Sequence, residues 1–171
     1  ISISLVIYLL YIQLFIPLNQ IFKLSAINKI IHKSETRGAA NIDWLESYHT
    51  FSFSRYYDPE RIQFGALRVI NDDTVAPGMG FGRRPHDNME IITIPLSGDL
   101  KHKDSMDHKE VIRSGDVQIM SAGTGIEHSE VNANHDSFVK LLQIWVFPKL
   151  RNVTPRSEQK TYRAAERKNQ W

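Results

Sequence analysis

The sequence predicts an all-β domain, a sandwich or barrel of short strands. Three observations carry that expectation. Short apolar runs alternate with turn residues from Ala39 to Pro148, no long stretch in that span has helical periodicity, and hydrophobic residues make up 42% of 171, enough for the core of one domain.

The elements follow in chain order. The chain opens on Ile1 rather than Met and reads as a fragment or a processed product. Residues 1–22 carry no charge; as a helix they would extend roughly 33 Å, about one bilayer core. Lys23, Lys29, Lys33 and Arg37 follow, a basic flank that would keep the next domain on the cytoplasmic side of a membrane. Pro17, Asn19 and Gln20 weaken that reading. A signal peptide and an extension without structural role are the alternatives. Residues 1–28 are therefore expected to be a hydrophobic leader able to form a helix. The expected location is the cytoplasm or, with an anchored leader, the cytoplasmic face of a membrane.

Residues 29–148 are expected to form the barrel. Ala66–Ile70, Met89–Leu96, Val111–Arg113, Val117–Met120 and Val139–Phe147 read as strands. Asn71-Asp72-Asp73, Pro77-Gly78, Ser97-Gly98 and Ser114-Gly115-Asp116 read as turns. Residues 149–171 hold seven Lys or Arg against Glu158 and Glu166 and read as a solvated connector, with room for a short helix at Ala164–Lys168.

Composition excludes some chemistry. There is no cysteine, so disulfides and thiolate metal sites are ruled out, and any metal must be held by His, Asp or Glu. A formal charge of +2 and a pI near 8.8 give no direct nucleic-acid signal.

Two segments concentrate the candidate chemistry: Gly82 to Ile92 (GRRPHDNMEII) and Ser121 to Asn132 (SAGTGIEHSEVN). In a strand, residues i and i+2 share a face, so Arg84 pairs with His86, and His128 with Glu130. Pro85 points away and pushes Arg84 towards extended backbone. If both strands line one barrel, the four side chains converge. Imidazole and carboxylate suit iron, manganese, nickel or copper, and two histidines with one carboxylate is the facial arrangement of non-heme iron oxygenases.

The spacing of these two segments resembles the cupin barrel, a double-stranded β-helix of jelly-roll type. The surrounding text resembles the pirin family: Trp44 to Phe53 (WLESYHTFSF), Phe64 to Asn71 (FGALRVIN), His102 to Ser105 (HKDS), Gly115 to Gln118 (GDVQ) and Leu142 to Trp145 (LQIW). The likeness runs from about Lys33 to Lys160. It implies the N-terminal barrel of a two-barrel protein, with a second barrel expected beyond Trp171. It also implies a divalent metal, usually iron(II), on four ligands. Three carry over by position: His86, His128 and Glu130. The fourth falls on Arg84.

Arginine stays protonated and offers only donors, so it cannot ligate a cation. Turned outward, Arg84 would leave a weaker three-ligand site; turned inward, it would pair with Glu130 and put an ion pair where the metal belongs. The expectation is the outward rotamer with residual metal binding, because arginine is long enough to reach the barrel mouth. His102, in a run that pirins carry alongside their four ligands, is expected to be structural or to line the pocket. His108 and His135 read as exposed, and His32 as part of the basic flank. His49 is either packed or at the barrel mouth. Glu90 is assigned a supporting role, and Gly123 and Gly125 a tight turn before the His128 strand.

The resemblance implies two functions. One is a quercetin 2,3-dioxygenase, with Glu130 as base as well as ligand and a cavity lined by Phe81, Met89, Ile91 and Met120 for a flat, flavonol-like molecule. The other is a non-enzymatic module that binds a protein partner in a metal-dependent way. Arg83 and Arg84 favour a third reading, a degenerate barrel that has lost its metal.

Overall fold

The structure, a computed structural model, describes residues 31–169. The hydrophobic leader expected over residues 1–28 lies outside them. A 3-10 turn at Ser34–Thr36 precedes eleven strands. These are β1 (Gly38–Ile42), β2 (Leu45–His49), β3 (Leu67–Val75), β4 (Gly80–His86), β5 (Glu90–Ser97), β6 (Asp99–Asp104), β7 (Lys109–Arg113), β8 (Asp116–Ser121), β9 (Ile126–Asn132), β10 (Val139–Val146) and β11 (Arg156–Thr161), followed by a single helical turn, α1 (Ala164–Arg167). Among the described residues no helix is long and apolar enough to cross a membrane.

The strands form two antiparallel sheets. One runs β1-β2-β3-β10-β5-β8-β11, the other β4-β9-β6-β7. This strand order over two sheets is that of a jelly roll. Alternation along the strands sets what faces inward. On β3, Val69, Asn71, Asp73 and Val75 are buried; on β9, Ile126, His128, Glu130 and Asn132; on β10, Val139, Leu141 and Gln143.

The core divides into two apolar clusters. Val75, Leu100, Ile112, Val139 and Leu141 form one, with Trp44, Leu45 and Phe81 packed against it. Ile91, Met120, Ala122 and Ile126 form the other, with Met89, Met106 and Trp145. Along β9, His128 and Glu130 follow Ile126 of the second cluster and precede Asn132, which pairs with Leu100 of the first. The polar groups therefore sit mid-strand, with greasy packing towards either end holding the backbone that carries them.

Some sequence expectations need correction. Asn71-Asp72-Asp73 is not a turn but the middle of β3, laddered to β2 on one side and β10 on the other. Turn propensity yields because Asn71 and Asp73 find polar partners inside, while Asp72 faces out and meets Arg37 at 3.1 Å. The connector expected beyond Lys149 contains β11, which pairs with β8 along its whole length. Its polar text hides the strand because the anchors are polar: Gln159 Nε2 donates to Asp116 at 2.9 Å and Thr161 Oγ1 to the same carboxylate at 2.6 Å. The short helix falls where expected. Ile91 and Met120, expected in a ligand cavity, are fully buried core, and Met89 packs on the same cluster. Of that group only Phe81 lines the large cavity.

Candidate metal centre

β4 and β9 are neighbours, and a bulge decides which side chains they present. Phe81 pairs with Glu130, yet Arg84 rather than Arg83 pairs with His128, because the register shifts between Phe81 and Arg84. One extra residue in an antiparallel pair flips every later side chain to the other face. Without the bulge, Arg83 and Pro85 would face inward. With it, Arg84 and His86 do, and Arg83 stays outside, paired to Glu127. The turn before β9 needs glycine at Gly123, where φ is +47° and a Cβ would lie 2.0 Å from the Val153 carbonyl oxygen.

The imidazole rings of His86 and His128 lie 4.9 Å apart between centroids, and Trp145 stacks edge-on to His86 at the same distance. The Nε2 atoms of both histidines are buried without a hydrogen-bond partner. Burial, reinforced by Arg84, lowers the pKa of His86. Burial takes His128 down to about 3 against the pull of Glu130. Both rings are therefore neutral, the form that ligates.

His102 stands behind His128, its Nε2 3.1 Å from His128 Nδ1. One proton serves that contact. If His128 Nδ1 donates it, His128 Nε2 keeps a lone pair facing the site; the other tautomer would block it. In the first tautomer His102 acts as a positioning group of the kind ligand histidines use. Its strand partner is Glu130, across the β6–β9 ladder. Sequence reasoning allowed it a structural part but gave it no link to His128, since that contact arises only when β6 and β9 pair.

Glu130 is 1% exposed and both its oxygens are taken. Oε1 accepts from Thr93 Oγ1 and Gln143 Nε2, each at 3.1 Å; Oε2 accepts from Gln143 Nε2 at 2.8 Å and from Arg84 Nη2. Burial alone would raise this carboxyl's pKa. Arg84, His128 and the Gln143 hydrogen bond together outweigh it and hold the group near 2.

The inward rotamer of Arg84 corrects the outward one expected from sequence. Outward reach is available to a long side chain, but a buried carboxylate with no cation is costly, and Arg84 is the cation at hand. Phe81 lies under the guanidinium, 5.1 Å from ring centroid to Cζ. As they stand, among the described residues no three His, Asp or Glu side chains are grouped to hold one ion. The donors nevertheless fit a two-histidine, one-carboxylate centre in chemistry: two bare neutral imidazole nitrogens and an ionised carboxylate.

Beside this centre lies a cavity of about 700 Å³. Arg84 and Gln143 line it and at the same time bind Glu130, so they separate the carboxylate from the cavity. Phe53 and Trp145, edge to face at 5.4 Å, supply aromatic surface. His49 is buried and borders this cavity. His108 is 40% exposed and binds Asp104 at 2.8 Å, while His32 and His135 face solvent. Glu90 accepts from Ser121 at 2.8 Å.

The pirin family model matches residues 31–146. A quercetin 2,3-dioxygenase of Escherichia coli K12 is 51% identical over 138 residues, which cover 81% of this chain and 60% of the relative. Among solved structures, the Escherichia coli pirin YhhW in complex with nickel(II) aligns with a TM-score of 0.75 at 51% identity, covering 77% of this chain and 57% of that one. The cupin domain of Schizosaccharomyces pombe Cnp3 aligns with a TM-score of 0.50 at 11% identity and shares the fold alone. The chain thus spans less than two thirds of the pirin relatives it matches.

Proposed function

Because the chain belongs to the pirin family, we propose that it is a metal-binding cupin barrel of the quercetin 2,3-dioxygenase kind, with a metal centre weakened by Arg84. The observation that carries this reading is the pair of buried, unpartnered Nε2 atoms of His86 and His128 beside an ionised Glu130. Those three side chains would hold a divalent metal, and the ligand set suits iron(II). When bound, the metal would supply a Lewis acid for a substrate hydroxyl oxygen and a centre for chemistry with molecular oxygen.

The chain's own residues set the terms. With His128 Nδ1 donating to His102 Nε2, the His128 Nε2 lone pair faces the site. Arg84 competes with the metal for the Glu130 oxygen it now occupies, so loading requires its guanidinium to leave. Glu130 is ionised beside the two imidazoles, the form that a ligand role needs. Phe53 and Trp145 give the cavity the flat apolar surface that a flavonol ring would stack on.

Metal analysis of protein loaded with iron(II) tests the centre. Wild type is expected to hold well under one equivalent and Arg84→His close to one. Equal, stoichiometric iron in both sinks the account of Arg84. The ion pair of Arg84 with Glu130 favours a second reading, a barrel that has given up its metal. That reading predicts no iron in wild type and no oxygen uptake with quercetin.

A further inference from the structure

The cavity has a second polar wall that the metal centre does not use. Ser47 and His49 face inward from β2, and Asn71 and Asp73 face inward from β3. The register pairs them directly: Ser47 with Asp73, His49 with Asn71. All four are buried, at 2 to 3% exposure, and all four line the cavity. Along β3, Asn71 and Asp73 lie between the inward-facing Val69 and Val75.

Four polar groups on a core face cost stability unless they bind something. Part of their capacity is used internally. His49 Nδ1 lies 2.9 Å from Asn71 Oδ1, and Ser47 Oγ donates to Asp73 Oδ1. Among the described residues, Asp73 Oδ2 receives no hydrogen bond, although a carboxylate oxygen has room for two. The site thus presents an acceptor to the cavity, while Phe53 and Trp145 offer aromatic surface in the same space and Arg84 a cation.

We infer that this β2–β3 wall is a hydroxyl-recognition site for a planar, polyhydroxylated aromatic molecule, with Asp73 Oδ2 accepting a hydrogen bond from a ligand hydroxyl. Size agrees, since the cavity volume falls within the range that encloses a small organic ligand. The chemistry agrees too: a flat ring needs faces to stack on, and its hydroxyls need acceptors away from water. Burial, partly offset by Ser47, also raises the Asp73 pKa to about 6, as expected of a carboxyl short of donors. The inference rests on the proposed function for its ligand class, but its contacts require no metal.

The test is therefore binding to the metal-free protein in chelator, read by isothermal titration calorimetry. Quercetin and its unhydroxylated parent, flavone, are titrated in parallel against wild type and Asp73→Asn. Wild type is expected to bind quercetin about tenfold more tightly than flavone, and Asp73→Asn to lose most of that preference while binding flavone as before. Equal affinity of wild type for the two compounds overturns the inference without any variant. An undiminished preference in folded Asp73→Asn also overturns it. Neither result depends on whether iron loads or oxygen is consumed.

Discussion

Two carboxylates lie inside this barrel under nearly equal burial, Glu130 at 1% exposure and Asp73 at 3%, and their pKa values move in opposite directions. Glu130 falls to about 2 and Asp73 rises to about 6. Depth does not separate them. Their partners do: Glu130 has the Arg84 cation against it and a hydrogen bond from Gln143, whereas Asp73 is bonded by Ser47 and feels the negative charge of Glu130. A filled coordination shell makes the β4–β9 wall a closed, stabilising arrangement. A partly filled one leaves the β2–β3 wall able to bind at the expense of stability.

Removing the guanidinium should have the largest effect on that contrast. Arg84→Met in metal-free protein strands a buried carboxylate and is expected to cost about 3 kcal/mol of stability at neutral pH in denaturant unfolding. The pH dependence should change with it. Because the folded pKa of Glu130 is depressed, its contribution is present above about 4.5 and lost as pH falls towards 2. In Arg84→Met that acid-side loss should flatten. A variant as stable as wild type, with the same acid limb, would mean the pair contributes nothing.

Asp73 should respond with the opposite sign. Its folded pKa is raised, so its contribution is present below about 3.8 and lost as pH rises through about 6. Asp73→Asn is therefore expected to be more stable than wild type by about 2 kcal/mol at pH 8, with the difference shrinking below pH 4. Stability curves at the two pH values check this. A stabilising change that also removes hydroxyl preference would show a binding group kept against the interest of the fold.

The smallest expected effect comes from Ser47. Ser47→Ala removes the donor to Asp73 and should cost about 1 kcal/mol at pH 8. It should also push the Asp73 carboxyl higher still, which a carboxyl-labelled NMR titration would read directly. An unmoved midpoint would mean that burial alone sets this group.

Much of the fold was legible in the residues. Val139–Val146 and Glu90–Ser97 are apolar runs bounded by turn residues, and both are strands within a residue or two of where they were expected. β11 was not legible, since its hold on β8 is made by Gln159 and Thr161 reaching Asp116, and polar pairing of that kind leaves no periodic apolar signal. The Asn71-Asp72-Asp73 run misled for a related reason: strong turn formers became a central strand once the β2 and β10 ladders closed around them. At the site, the i, i+2 spacing of Arg84 with His86 and of His128 with Glu130 was readable by eye. The cavity wall of Ser47, His49, Asn71 and Asp73 was not, because its members come from two strands more than twenty residues apart.

By itself, then, the sequence determined the strand-rich class, the absence of cysteine and the family, since all of these depend on residue type and local spacing. Tertiary structure decided which way Arg84 turns, that His102 backs His128, and that Asp73 is left with an open acceptor. Those outcomes depend on the β4 bulge and on cross-strand register, where one residue of shift exchanges inside for outside.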